Sequence, residues 1–207
     1  MYDLPPPTPT VQIELATTGM SKGLAQTDGP QLVVRPGLEL GAFSIEGLAK
    51  NIESGNDDGV ELQAFAVVAT EASGFKLSGR GGLKSVHEIK GQADRRAFEA
   101  RVDAARKFGK VNATVSLTYS PDDTGSTRQS TLIEGALVWD VRKGTKDGAR
   151  IGRRERSGGP DYTAFNAGIT QDKIPHVAAD LRVYDTGSSD LGYAYERRLV
   201  AALRAKF

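Results

Sequence analysis

His87 and His176 are the only imidazoles in a chain of 207 residues that has no cysteine. The lack of thiols excludes a cysteine nucleophile, a cysteine-ligated zinc, an iron–sulfur centre and a disulfide scaffold. His87 lies in a long polar stretch and His176 beside a short turn, neither with carboxylates at ligand spacing, so no metal is expected. The most glycine-rich polar run is Ser54-Gly55-Asn56-Asp57-Asp58-Gly59. It lacks the Lys-Ser/Thr of a phosphate-cradling loop, and its aspartates read as a solvated loop rather than a calcium site. Gly79, Gly81 and Gly82 read as a point of strand curvature, not a ligand cradle. What remains is charge. Lysine and arginine number 27 against 26 aspartates and glutamates, and a net charge of +1 excludes a generally basic nucleic-acid surface. The charges are ordered, however. Glu61, then Arg80 and Lys84, then Glu99, Arg101 and Asp103 alternate with apolar or small neighbours. The run RIGRRER at 150–156 puts Arg150 and Arg154 in the same alternation, ahead of Arg182, Arg198 and Arg204.

Those charges sit on segments of period two, the spacing of a β-strand with one apolar and one polar face. Twelve such segments are predicted, at 11–17, 32–40, 43–50, 60–68, 75–84, 98–104, 111–119, 133–141, 149–155, 163–169, 177–183 and 199–207. About 17 residues per strand and connection leaves room for the roughly 9–11 residues of a membrane-spanning strand. Residues 93–109 contain good helix formers, but Phe98, Ala100 and Val102 alternating with Glu99, Arg101 and Asp103 favour a strand. Short connections are predicted at 41–42, 72–74, 109 and 172–175, and long polar ones at 51–59, 85–96, 120–128, 156–161 and 185–192. A short connection at 26–30 and a longer one at 142–148 break this alternation. Residues 1–10, with Pro5, Pro6, Pro7 and Pro9, read as an extended periplasmic lead-in to a barrel over 11–207. No signal-peptide pattern opens the chain, so a signal already removed is expected.

A two-faced strand belongs in a soluble sandwich, apolar face inward, or in a membrane barrel, apolar face toward lipid. Here the apolar face is nearly free of charge, with Arg106, Arg153 and Arg197 near strand ends as the main exceptions. The polar face mixes both signs, and Phe207 ends an alternating final strand. Phe43, Phe75, Phe98, Phe108, Tyr119, Trp139 and Phe207 supply thin interfacial girdles. The prediction is an all-β protein, a transmembrane antiparallel β-barrel of about 12 strands in an up-and-down meander, in a bacterial outer membrane. Its expected lumen-lining residues are Arg35, Glu39, Glu61, Arg80, Glu99, Arg101, Asp103, Glu134, Arg150, Arg154, Asp180, Arg182, Arg198 and Arg204. A basic surplus concentrated on the last four strands predicts a narrow, weakly anion-preferring pore for small solutes. The alternatives are a closed structural barrel within a larger outer-membrane assembly, and a soluble β-barrel binding module. An enzyme is not expected: a serine hydrolase needs a Ser–His pair on the lipid-facing side, and neither histidine falls on an apolar strand face. The expected partners are the bilayer, the barrel-assembly machinery through the strand ending at Phe207, and an envelope protein in the closed-barrel alternative. No cofactor is expected.

The stretch Met20-Ser21-Lys22-Gly23-Leu24-Ala25-Gln26-Thr27-Asp28-Gly29-Pro30 resembles the motif RGxSQTDxxPA that follows the first strand in the TorF-like porin family. Gly41-Ala42-Phe43, Val60-Glu61-Leu62, Gly74-Phe75 and Asp161-Tyr162-Thr163-Ala164-Phe165 stand at similar spacing to that family's strand openings. Lys22 replaces the family's arginine and Ala25 its serine. The resemblance covers 11–207 and implies a bacterial outer-membrane barrel of porin type, with no substrate attached.

Overall fold

The computed structural model describes residues 6–54, 57–90 and 95–207. Its strands, in chain order, are β1 (Thr8–Ala16), β2 (Met20–Ser21), β3 (Leu24–Ala25), β4 (Gln31–Leu40), β5 (Phe43–Ser54), β6 (Asp57–Ala72) and β7 (Phe75–His87). β8 (Arg96–Phe108), β9 (Val111–Asp123), β10 (Arg128–Arg142), β11 (Thr145–Arg156), β12 (Tyr162–Ile174), β13 (Val177–Asp185) and β14 (Arg198–Lys206) complete the chain. β2 and β3 form a separate two-stranded hairpin; the other twelve close into one antiparallel barrel. Closure is made by β1 against β14, with Glu14 opposite Arg204 and Leu15 opposite Leu203. A closed ladder has no open edge, so its backbone polar groups find partners without water, as a lipid environment demands.

All twelve predicted strands are present, and 96–108 is strand, not helix. Most run past the predicted ends. β5 and β6 take in nearly all of the predicted 51–59 loop, pairing Ile52 with Gly59 and Glu53 with Asp58; residues 55–56 lie outside the described residues. The apolar alternation marks only the belt that meets lipid, whereas the ladder continues into water with polar residues on both faces. β1 likewise begins at Thr8, inside the predicted lead-in. Five turns at one end are two-residue hairpins, at 41–42, 73–74, 109–110, 143–144 and 175–176. The predicted 142–148 connection is therefore one of the tight turns. The other end carries connections at 17–30, 88–95, 124–127, 157–161 and 186–197, the first being the longest and not the short 26–30 predicted. We call these the turn end and the loop end.

The outward face carries the apolar residues: Leu83, Val115, Leu137, Ile151 and Leu199 are each more than half exposed. A soluble binding module would bury this face, and that alternative is discarded. The three charged exceptions singled out in the sequence are accommodated near strand ends. Arg106 stacks on Phe75 and Phe108 at 4.9 and 5.3 Å, Arg153 pairs with Asp161 at 3.4 Å, and Arg197 pairs with Asp185 at 2.6 Å. Exposed Phe43, Phe75, Phe108, Trp139 and Phe207 gather near the turn end, a partial girdle. In β7 a Cβ on Gly82 would fall 2.0 Å from the Ala64 carbonyl oxygen, so glycine here permits a close strand approach.

Candidate functional site in the barrel lumen

After β1 the chain turns into the barrel. β2 and β3 pair Met20 with Ala25 and Ser21 with Leu24, and turn on Lys22 and Gly23 with φ of +51° and +85°. Two successive left-handed residues are what a type I′ hairpin turn requires. At Gly23 space adds to the requirement, because a Cβ there would stand 2.2 Å from the Cβ of Ala164 on β12. Leu24 packs with Tyr162, Ala164 and Tyr195, and the Tyr162 hydroxyl donates to the Lys22 carbonyl at 2.8 Å. On the other wall, Lys50 Nζ donates to Gln26 Oε1 at 2.5 Å and the Glu53 amide to the Gln26 carbonyl at 2.7 Å. The hairpin thus reaches across the lumen from β5 to β12. Its base is braced by the Gly19 amide donating to Thr27 Oγ1 at 2.7 Å. The nearby Asp28 carboxylate holds the phenol of Tyr193, in the connection before β14, above its ordinary range.

The hairpin tip carries a charge into a dry network. Lys22 Nζ lies 2.7 Å from Glu99 on β8 and 2.9 Å from Asp123 on β9. Lys84 on β7 contacts the same two carboxylates, and Arg154 on β11 reaches Asp123 at 2.8 Å. Beside them Lys50 and Glu61 pair at 3.1 Å. Every one of these wall side chains is less than a tenth exposed. Ions this deep persist only where each finds several opposite charges or donors, since desolvation otherwise exceeds the Coulombic gain. Asp123 meets that condition, accepting also from Ser130 Oγ at 3.2 Å.

Nearer the middle of the strands the lumen is wetter. Arg101 binds Asp103 and Glu134 at 2.8 and 2.9 Å, and Arg150 reaches the same Glu134 at 3.4 Å. Arg35 and Arg204 share Glu14 at 3.3 and 2.8 Å. Arg80 lies 3.6 Å from Glu99 and 4.8 Å from the Phe65 ring centre. Arg182 is held by Asp180 at 3.3 Å and Asn166 at 2.8 Å, whereas Arg198 stacks on Tyr193 at 3.7 Å near the loop end. Glu39 is exposed close to the turn end. All the predicted lumen residues therefore stand on the inward rows of their strands. The arginines of the last four strands differ in how they are held. Arg154 is consumed by the buried network and Arg182 by Asp180, while half-exposed arginines stand on β4, β7, β11 and β14.

Two cavities meet beside the hairpin. One, of about 580 Å³, occupies the lumen and is lined by nine basic and five acidic side chains, a surplus of four positive charges. The other, about 780 Å³, opens among the connections of the loop end. Gln26, Ile52, Glu61, Thr124 and Thr127 belong to the walls of both.

Lys22, Gln26, Lys50, Asp123 and Tyr162 were not among the predicted lumen residues. Lys50 and Tyr162 bordered predicted strands, and Asp123 lay in a predicted loop. One exclusion is also corrected. His87 Nε2 lies 3.0 Å from Ser85 Oγ on the outward row of β7, so a Ser–His contact does exist on that face. Among the described residues no side chain bonds the other ring nitrogen, and the pair lacks the orienting group of a hydrolytic triad.

No family model and no curated protein matches the chain. Solved structures do. The KdgM porin superposes with a TM-score of 0.68 at 10% identity, over 96% of this chain and 99% of that one. It has also been solved in complex with disordered oligogalacturonate. The NanC porin gives 0.58 at 8% identity over 95% and 97% of the two chains. The fold is that of outer-membrane porins. Outer membrane phospholipase A from Escherichia coli also matches, with a TM-score of 0.52 at 13% identity over 95% and 89%. One fold thus carries channels and a lipase, and function has to be read from the side chains.

Proposed function

We propose that the protein is a narrow outer-membrane channel for small solutes, weakly preferring anions, of the kind the TorF-like resemblance implies. The observation that carries this reading is the pair of cavities sharing a wall beside the hairpin, one of them with nine basic residues against five acidic. Low-dielectric walls focus such a surplus and raise the local concentration of anions. In this reading the turn end and both termini face the periplasm, the loop end faces outside, and Phe207 closes the strand presented to the assembly machinery. The fourteen predicted lumen residues line the route. Reversal potentials of the purified barrel in a planar bilayer under a salt gradient test it. The expected sign favours anions and weakens as salt rises; a cation preference would remove the reading.

A second reading rests on the hairpin itself. Because it crosses the lumen and ties into buried ion pairs, a barrel that is closed and serves as a structural partner in the envelope is the alternative. Absence of current from the intact protein, and from a version with the hairpin removed, would favour it.

A further inference from the structure

Three lumen arginines are held by carboxylates that other cations hold more closely. Arg35 lies 3.3 Å from Glu14, which takes Arg204 at 2.8 Å. Arg150 lies 3.4 Å from Glu134, which takes Arg101 at 2.9 Å. Arg80 lies 3.6 Å from Glu99, which takes Lys22 at 2.7 Å. Their side chains are 38%, 44% and 33% exposed, against 5% for Glu99. A guanidinium offers five N–H donors in a planar fork, so each keeps donors to spare toward the lumen.

The three come from β4, β7 and β11, well apart around the wall, and all line the 580 Å³ cavity. That volume lies within the roughly 300–1,000 Å³ of small-molecule sites. A monovalent anion engages one fork and leaves the others as they were. A solute with two or three carboxylates bridges several forks at once, each contact charge-assisted and bidentate. We infer that this cavity is a binding site for small di- and tricarboxylates, with Arg35, Arg80 and Arg150 as its recognition groups. The inference deepens the channel reading and rests on it for the route by which solute arrives.

The test is isothermal titration of the refolded full chain in detergent with citrate, succinate and acetate at matched ionic strength. Saturable one-to-one citrate binding is expected, with weaker succinate binding and none for acetate. Arg150→Gln and Arg35→Gln should each weaken citrate by about tenfold or more, the worth of one charge-assisted contact. Arg150→Lys should recover part of the loss, and outward Arg153→Gln should change nothing. Circular dichroism of each variant establishes that the barrel has formed. Equal binding of acetate, no saturable citrate, or indifference to the arginine substitutions overturns the site. Bilayer currents separate the two claims: citrate binding without conductance supports the site and removes the channel, and anion conductance without citrate binding does the reverse.

Discussion

Lys84, Glu99, Asp123 and Arg154 at the loop end of the lumen, and Arg35, Arg80 and Arg150 at its waist, come from the same alternation of residues on neighbouring strands. The first group is nearly dry and multiply paired; the second is one-third to almost one-half exposed and loosely paired. The wall alone does not account for the contrast. At the loop end a hairpin enters and shuts out water, and its Lys22 joins the carboxylates already facing Lys84 and Arg154. At the waist no connection among the described residues enters, so arginines of like chemistry keep their hydration and their spare donors. Burial in this barrel depends on a connection as much as on the strands.

The substitution with the largest expected effect strikes the dry region. Asp123→Ala leaves Lys22, Lys84 and Arg154 buried around a missing carboxylate, and should destabilise the barrel by about 3–5 kcal/mol. Denaturant-induced unfolding in lipid vesicles would measure it; a loss below that of a surface pair would mean the region is wetter than described. Next comes the other side of the same wall. Leu137 faces outward and is 55% exposed, while its neighbour Ala136 faces in and pairs with Arg150. Leu137→Arg should cost about 2–4 kcal/mol in a bilayer and Ala136→Ser far less. Reversed effects would invert the assignment of faces.

Gly23→Val acts on the hairpin alone. The new side chain meets Ala164 and a positive φ, so the tip should be pushed from its seat at a cost of about 1–3 kcal/mol. Unfolding experiments give the cost, and increased solvent access at a cysteine introduced at Ser130 would report the wetting of the network. Smallest of all is the exposed pair Lys76 and Glu71 near the turn end, 3.4 Å apart. Neutralising either should move stability by no more than about 1 kcal/mol. A larger change there would show that water does not reach the turn end as freely as the contrast requires.

The barrel was legible because alternation is written into every strand: Leu83, Val115 and Leu137 point outward as their spacing demands. Strand ends were not, because beyond the lipid belt polar residues such as Glu53 and Asp58 pair without any apolar signature. The inward rows carrying Glu99, Arg101 and Arg154 could be read for the same reason as the outer ones. Which of those charges would be dry could not, since that depends on contacts between residues far apart in the chain. Lys22 and Gly23 stood in the stretch that carries the family resemblance, yet a two-residue turn flanked by two-residue strands is too short to announce where it will fold.

Single-channel conductance of the intact barrel, set against a variant with residues 20–27 replaced by a short glycine–serine linker, tests most directly whether the hairpin limits passage. A small current is expected from the intact protein and a several-fold larger one from the variant, with anion preference retained because Arg35, Arg80 and Arg150 remain. Equal conductance in the two, or silence from both, would contradict it.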